Sequence, residues 1–285
     1  MAQEHLLGAH MSISGGIDLA IDRGEQVGCH VMQVFTKNSN QWQGKALEES
    51  VIESYKSKLE KSPVSEVIAH DSYLINLASP EKEMRQRSFD AFLDEMERCR
   101  KLGISSLVMH PGSHKGAGEE GGLKIITEEF NELLAMTDGW GVHIVVETTA
   151  GQGTNLGYRF EHIASIIDGV KEKDRIKVCF DTCHVFAAGY DLSTEEGYYE
   201  TMERFESLIG LDRLAAFHIN DSKKALGSRV DRHEHLGKGE LGETPFRLIM
   251  NDPRFAGIPK ILETPKGKEM EEDKVNLAYL RNLVR

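Results

Sequence analysis

The sequence predicts a single α/β domain spanning residues 1–285, in which eight strand–helix units close into a (β/α)8, or TIM, barrel with its active site at the C-terminal rim of the strands. Three observations carry this. Eight short apolar runs of buried-strand length, each closed by polar residues or glycine, recur along the whole chain. The stretches between them read as amphipathic helices. Nothing divides the chain: 285 residues suits one barrel of roughly 250, and no Pro/Ser-rich linker, low-complexity tract or sequence repeat interrupts it.

The runs fall at residues 6–10, 31–36, 66–70, 106–110, 143–147, 176–181, 214–220 and 260–263. They are nearly continuously apolar, which marks a parallel sheet covered on both faces. Between the third and fourth, residues 80–102 carry Met84, Phe89, Phe92, Leu93, Met96 and Cys99 at three- and four-residue spacings, one face of a helix. A doubly wound sheet is the weaker alternative. Its dinucleotide fingerprint is absent after the first strand, where Ser14-Gly15-Gly16 reads as a short turn into a helix.

Composition narrows the function classes. The chain has 34 Lys+Arg against 46 Asp+Glu, a formal net charge of −12, which argues against bulk electrostatic adhesion to nucleic acid or anionic membrane. At 40% hydrophobic and 28% charged with 7 Pro, it is an ordinary globular protein. Four scattered cysteines, Cys29, Cys99, Cys179 and Cys183, make neither a disulfide framework nor a CxxC pair, so a reducing, cytoplasmic setting is expected. No basic leader followed by an apolar stretch and no long apolar run points to secretion or a membrane.

The informative feature is what stands at the strand ends, because that rim carries the chemistry in barrels. The third strand ends in His70-Asp71, the fourth in His110, the fifth in Glu147, the sixth in Asp181, the seventh in His218 and the eighth in Glu263. Any one alone is better read as a hydrogen-bonded histidine or a helix cap. Six in succession on one closed rim would be costly without cations, which makes metal binding the economical reading. Two loops add candidates. Asp231-Arg232-His233 sets its first and third residues on one face of an extended segment, and His184 lies just beyond the sixth strand. Five histidines (His70, His110, His184, His218, His233) and four carboxylates (Glu147, Asp181, Asp231, Glu263) exceed the needs of one ion and suit two or three. A set without thiolates favours Zn2+ or Mn2+ in an open, catalytic site. Clustered divalent ions suit phosphoryl displacement, so a phosphate ester leads as the substrate class.

Long motifs then carry a resemblance. Leu7-Gly8-Ala9-His10, Phe35-Thr36-Lys37-Asn38, His70-Asp71-Ser72-Tyr73-Leu74-Ile75-Asn76-Leu77, His110-Pro111-Gly112-Ser113-His114, Asp181-Thr182-Cys183-His184, His218-Ile219-Asn220-Asp221-Ser222-Lys223 and Asp231-Arg232-His233 resemble endonuclease IV, the zinc-dependent apurinic/apyrimidinic (AP) endonuclease family of base excision repair. The match runs from about Leu7 to Thr264. It implies a barrel of the xylose isomerase-like kind holding three Zn2+, with Mn2+ able to serve at some sites. His70 and His110 would hold the first ion, which Glu147 would bridge to a second held by Asp181, His218 and Glu263; His184, Asp231 and His233 would hold the third. The family hydrolyses the phosphodiester 5′ to abasic sites, leaving 3′-hydroxyl and 5′-deoxyribose phosphate ends, and clears blocked 3′ ends as a 3′-phosphodiesterase. Glu147 and Glu263 are the expected catalytic carboxylates.

The implied partner is double-stranded DNA with abasic sites or blocked 3′ ends, bound by a monomer. Tyr73 and Leu74 resemble the residues inserted where the abasic nucleotide is flipped out, an aromatic and an apolar wedge. Between 222 and 239, five basic residues, among them Lys223, Arg229 and Arg232, outnumber two acidic ones and are read as phosphate contacts. Two positions depart from the family pattern. Asn40 stands where an Arg is frequent, and Thr148 follows Glu147 where Asn is usual, so a hydroxyl replaces an amide beside the bridging carboxylate. The rival reading, a metal-dependent sugar isomerase or epimerase on the same barrel, explains Glu147, Asp181, His218 and Glu263. It leaves His184, Asp231-Arg232-His233, the wedge and the basic loop unused. A non-catalytic DNA-binding module fits an open ligand set still less.

Overall fold

The computed structural model describes His5–Arg285. Eight parallel strands close into a barrel: β1 (Leu7–Met11), β2 (Val31–Phe35), β3 (Glu66–His70), β4 (Ser106–Met109), β5 (His143–Glu147), β6 (Ile176–Asp181), β7 (Leu214–His218) and, after a two-stranded hairpin of β8 (Asp221–Ser222) and β9 (His233–Glu234), β10 (Lys260–Leu262). Sequence neighbours pair throughout and β10 closes on β1. The eight predicted runs are these eight strands, with ends shifted by one or two residues. The predicted run at 214–220 stops instead at His218, because the chain leaves the barrel to form the hairpin.

Helices pack outside: α1 (Asp18–Val27), α2 (Glu49–Lys61), α3 (Lys82–Leu102), α4 (Glu119–Met136), α5 (Phe160–Gly169), the short α6 (Thr182–Ala188), α7 (Glu195–Leu208), α8 (Thr244–Asn251) and α9 (Glu271–Asn282). Of the face predicted for α3, Phe89, Phe92, Met96 and Cys99 are buried against the sheet, whereas Leu93 is half-buried and Met84, in the first turn beyond the edge of the core, is exposed. Each of the buried side chains contributes roughly 1.5–3 kcal/mol. The helix stops at Gly103, which takes φ 78° and donates its N–H to the last-turn carbonyls, a conformation that suits glycine.

Strand alternation sorts side chains into two sets. Leu7, Met32, Val34, Val67, Leu107, Ile144, Val146, Phe180 and Phe217 join the large core between sheet and helices. A second cluster, Val31, Ile68, Val108, Val145, Cys179, Ala216 and Ile261, fills the barrel interior. Two residues past each member of the interior cluster, on the same face of its strand, stand Gln33, His70, His110, Glu147, Asp181, His218 and Glu263. The period of two that packs the interior therefore also turns these polar side chains towards its C-terminal mouth.

Candidate metal centre

Local structure holds these side chains in place. β6 carries an irregularity against β7 between Val178 and Cys179, the kind of bulge that re-aims side chains, just before Asp181. Asp181 also caps α6: its Oδ1 accepts the His184 N–H at 2.7 Å, while Asn220 donates its amide to Oδ2 at 2.7 Å. His184 thus stands in the first turn of a helix that the sequence reading did not foresee. Asp231 and His233 come from the arm that leads into β9, which hydrogen-bonds to β8. After His110, Gly112 takes φ 87°, where a Cβ would collide with the Asn76 side chain. That amide accepts from Ser113 N and donates to Ser113 O, both at 2.9 Å, and so ties the loop after β4 to the loop after β3.

All nine predicted ligand residues come together, in three groups whose donor atoms lie within 4.8 Å of one another: His70, His110 and Glu147; Glu147, Asp181, His218 and Glu263; and His184, Asp231 and His233. A further grouping of Asp181, Cys183 and His233 includes a thiol. Burial pushes the Cys183 thiol up to about 12, and it stands outside the nine predicted ligands.

Hydrogen bonds on the far side of four of the five imidazoles orient them. His70 Nδ1 donates to Asp71 O at 2.9 Å, His184 Nδ1 to Thr148 O at 2.9 Å, His233 Nδ1 to Glu263 O at 3.2 Å, and His218 Nε2 to Gln33 Oε1 at 2.7 Å. In the neutral rings the other nitrogen then presents a lone pair, and it faces carboxylate oxygen in every case. His70 Nε2 lies 3.1 Å from Glu147 Oε2, and His218 Nδ1 lies 3.1 Å from both Glu147 Oε1 and Glu263 Oε2. His184 Nε2 and His233 Nε2 lie 3.2 and 3.3 Å from the two oxygens of Asp231, and His110 Nε2 is 3.3 Å from Glu147 Oε2. Glu147 Oε1, His184 Nε2, His218 Nδ1 and His233 Nε2 are buried with no hydrogen-bond partner. Lone pairs converging on lone pairs in a buried site fit cations between them.

Burial penalises charge on Glu147, yet the facing His218 and His110 outweigh it and hold the carboxyl well below the usual range. Burial likewise opposes charge on His184, but Asp181 and Asp231 raise it well above the ordinary imidazole value; Cys179, Glu263 and Glu147 do the same for His218. Against burial, the His184 ring 3.2 Å away brings Asp231 down to about 2.

Of the residues read as DNA contacts, Tyr73 and Arg232 stand beside the cluster. Tyr73 is 64% exposed, its ring edge-on to Phe35 at 5.4 Å and 6.1 Å from the His70 ring; Leu74 beside it is half-buried. Their loop is anchored from below: Ser72 N–H donates to buried Glu95 at 3.0 Å, and Glu95 pairs with buried Lys37 at 3.1 Å. Asn40 is exposed in a turn, its N–H bonded to Asn38 Oδ1 at 2.9 Å. Lys223 is exposed, 3.9 Å from Glu234. Arg229 and Arg232 are partly engaged within the chain. The Arg229 guanidinium lies over the Tyr158 ring at 4.3 Å, and Arg232 donates to Asp231 O at 2.7 Å while lining a pocket of about 140 Å3 with His110, His184 and Asp231. Thr148 does not touch the Glu147 carboxylate through its hydroxyl; that oxygen accepts the Asp181 N–H at 2.9 Å and steadies the neighbouring strand.

Sequence reasoning missed the supports. Asn220 bonds Asp181 and accepts Glu263 N–H at 2.9 Å, and Thr182 Oγ1 donates to Asn220 O at 2.6 Å. Gln33, a lone polar residue inside an apolar run, was the one legible signal.

The chain matches the family model described as a xylose isomerase-like TIM barrel over residues 21–283. It is 57% identical to a probable endonuclease 4 of Geotalea daltonii over 98% of each chain. Among solved structures it is similar to endonuclease IV from Thermus thermophilus, with a TM-score of 0.85 and 34% identity over 97% of this chain and 98% of that one. A D-psicose 3-epimerase from Clostridium cellulolyticum shares the fold, with a TM-score of 0.70 at 14% identity over 98% of this chain and 99% of that one.

Proposed function

The chain belongs to the endonuclease IV family, and on that premise we propose that it is a DNA-repair hydrolase that cuts the phosphodiester 5′ to apurinic/apyrimidinic sites and trims blocked 3′ ends. The observation that carries this reading is the set of buried, unpartnered donor atoms on Glu147, His184, His218 and His233, which suits three divalent ions, Zn2+ first among them. Bound there, such ions generate a nucleophile from water at neutral pH and neutralise the attacking and leaving oxygens of a phosphoryl displacement.

The chain's own residues do the rest. His70 and His110 face one oxygen of the Glu147 carboxylate and His184 and His218 the other, while Asp181 and Glu263 complete the second group beside His218, so Glu147 and Glu263 fix where the reacting phosphate meets the cluster. His184, Asp231 and His233 form the third group on the hairpin side, where Arg232 offers a cation to a phosphate oxygen. Tyr73 and Leu74 fill the gap left by an extruded abasic nucleotide, which costs least where pairing is already lost. Lys223 and Arg229 reach the DNA backbone, and Asn40 offers an amide in place of a guanidinium. The barrel acts as one monomeric unit, and its four unpaired, buried thiols suit the cytoplasm. Among the described residues no helix is long and apolar enough to cross a membrane. A sugar epimerase would leave the third group and the wedge without work. A duplex with one abasic site, incubated with and without chelator, tests the reading. Metal-dependent cleavage 5′ to the lesion leaving a 3′-hydroxyl is expected; cleavage on the 3′ side, or none, overturns it.

A further inference from the structure

β2 supplies none of the nine ligands, yet its inward position beyond Val31 is Gln33, completely buried. Apolar packing would be the inexpensive choice there, and a buried amide is stable only if its hydrogen bonds are made. They are. Its Nε2 donates to Glu263 Oε1 at 2.7 Å and lies 3.0 Å from His10 Nδ1, while its Oε1 accepts from His218 Nε2 at 2.7 Å. The carboxylate of Glu263 only accepts, so the NH2 group must face it and the carbonyl must face His218. That arrangement puts the His218 proton on Nε2 and leaves Nδ1 as the free donor atom, 3.1 Å from both Glu147 and Glu263.

We infer that Gln33 is a positioning residue for the group formed by Glu147, Asp181, His218 and Glu263, setting the tautomer of His218 and the rotation of the Glu263 carboxylate with a single side chain. The inference rests on the reading of this group as a metal site. Partners of this kind are worth about 10- to 100-fold in metal affinity. The other two groups receive no hydrogen bond from Gln33, so the effect is confined to one ion.

The test is Gln33→Met, of similar length and without polar atoms. The metal-free variant is first checked for native folding by circular dichroism, then Zn2+ is titrated against a competing chelator and the His218 ring nitrogens are observed by 15N NMR. The expected result is one ion weakened about 10- to 100-fold with the others unchanged, and loss of the single Nε2–H tautomer of His218. Unchanged affinity at every site overturns the assignment while leaving the metal-centre reading intact; wild-type protein that binds no ion at this group overturns both. Should Gln33→Met fail to fold, Gln33→Glu keeps the acceptor for His218 but sets a carboxylate against Glu263. Selective weakening of the same ion with the His218 tautomer retained is then expected, and unchanged affinity again overturns the assignment.

Discussion

Glu147 is fully buried, with His70 and His110 against one oxygen and His184 and His218 against the other. Replacing one of those oxygens by an amide NH2 puts a donor where a lone pair was needed. Glu147→Gln is expected to lower the rate of incision of an abasic duplex by about 10²–10³-fold or more, with the circular dichroism spectrum of the wild type retained; an unaffected rate would refute its role. Tyr73, proposed as a wedge, is in contrast mostly exposed. Tyr73→Ala should weaken binding to abasic duplex by about 1–3 kcal/mol and leave binding to single-stranded ends nearly unchanged, and equal losses would count against a wedge. Six of the nine ligand candidates were legible because each is a charged or imidazole side chain closing an apolar run, whereas His184, Asp231 and His233 were legible only as chelating residue types in the loops. The roles of Thr148 and Asn220 were not, because their partners, Asp181 and Glu263, stand on strands far away in sequence.

The strands were the clearest elements, since a parallel strand buried on both faces writes itself as a continuous apolar run. What the runs hid was the detail at their ends. Asp181 caps α6, and a seven-residue helix is too short for a periodic signal; β8 and β9 have two residues each, below any pattern. The opposite end of the barrel carries another such detail. Lys260 opens β10 fully buried, its Nζ donating to Phe255 O and Ile258 O at 2.6 and 2.9 Å, and burial lowers it from 10.5 to about 8. The unfolded chain therefore binds more protons than the folded one between about pH 8 and 10.5, so this lysine's contribution makes stability rise with pH through that window, by on the order of 2–3 kcal/mol. Below pH 8 both states are protonated and the penalty is constant. The difference in unfolding free energy between wild type and Lys260→Met, followed by denaturant titration from pH 7 to 10.5, should change by that amount; a constant difference would contradict it.

Taken whole, the acidic molecule and its proposed substrate are compatible. Four of the carboxylates behind the net charge of −12 belong to the cluster, and three divalent ions would bring the total to about −6, since −12 + 6 = −6. The remaining acidity opposes coating of undamaged duplex, while the loop from Ser222 to Gly239 concentrates positive charge on the hairpin side of the mouth. Composition could say only the first of these, because net charge carries no direction; the barrel supplies it by gathering the ligands at one end. All of this depends on how many ions the cluster holds. Metal analysis of the purified protein by mass spectrometry, after exchange into metal-free buffer, is predicted to find close to three divalent ions per chain, and a single ion per chain would contradict the account.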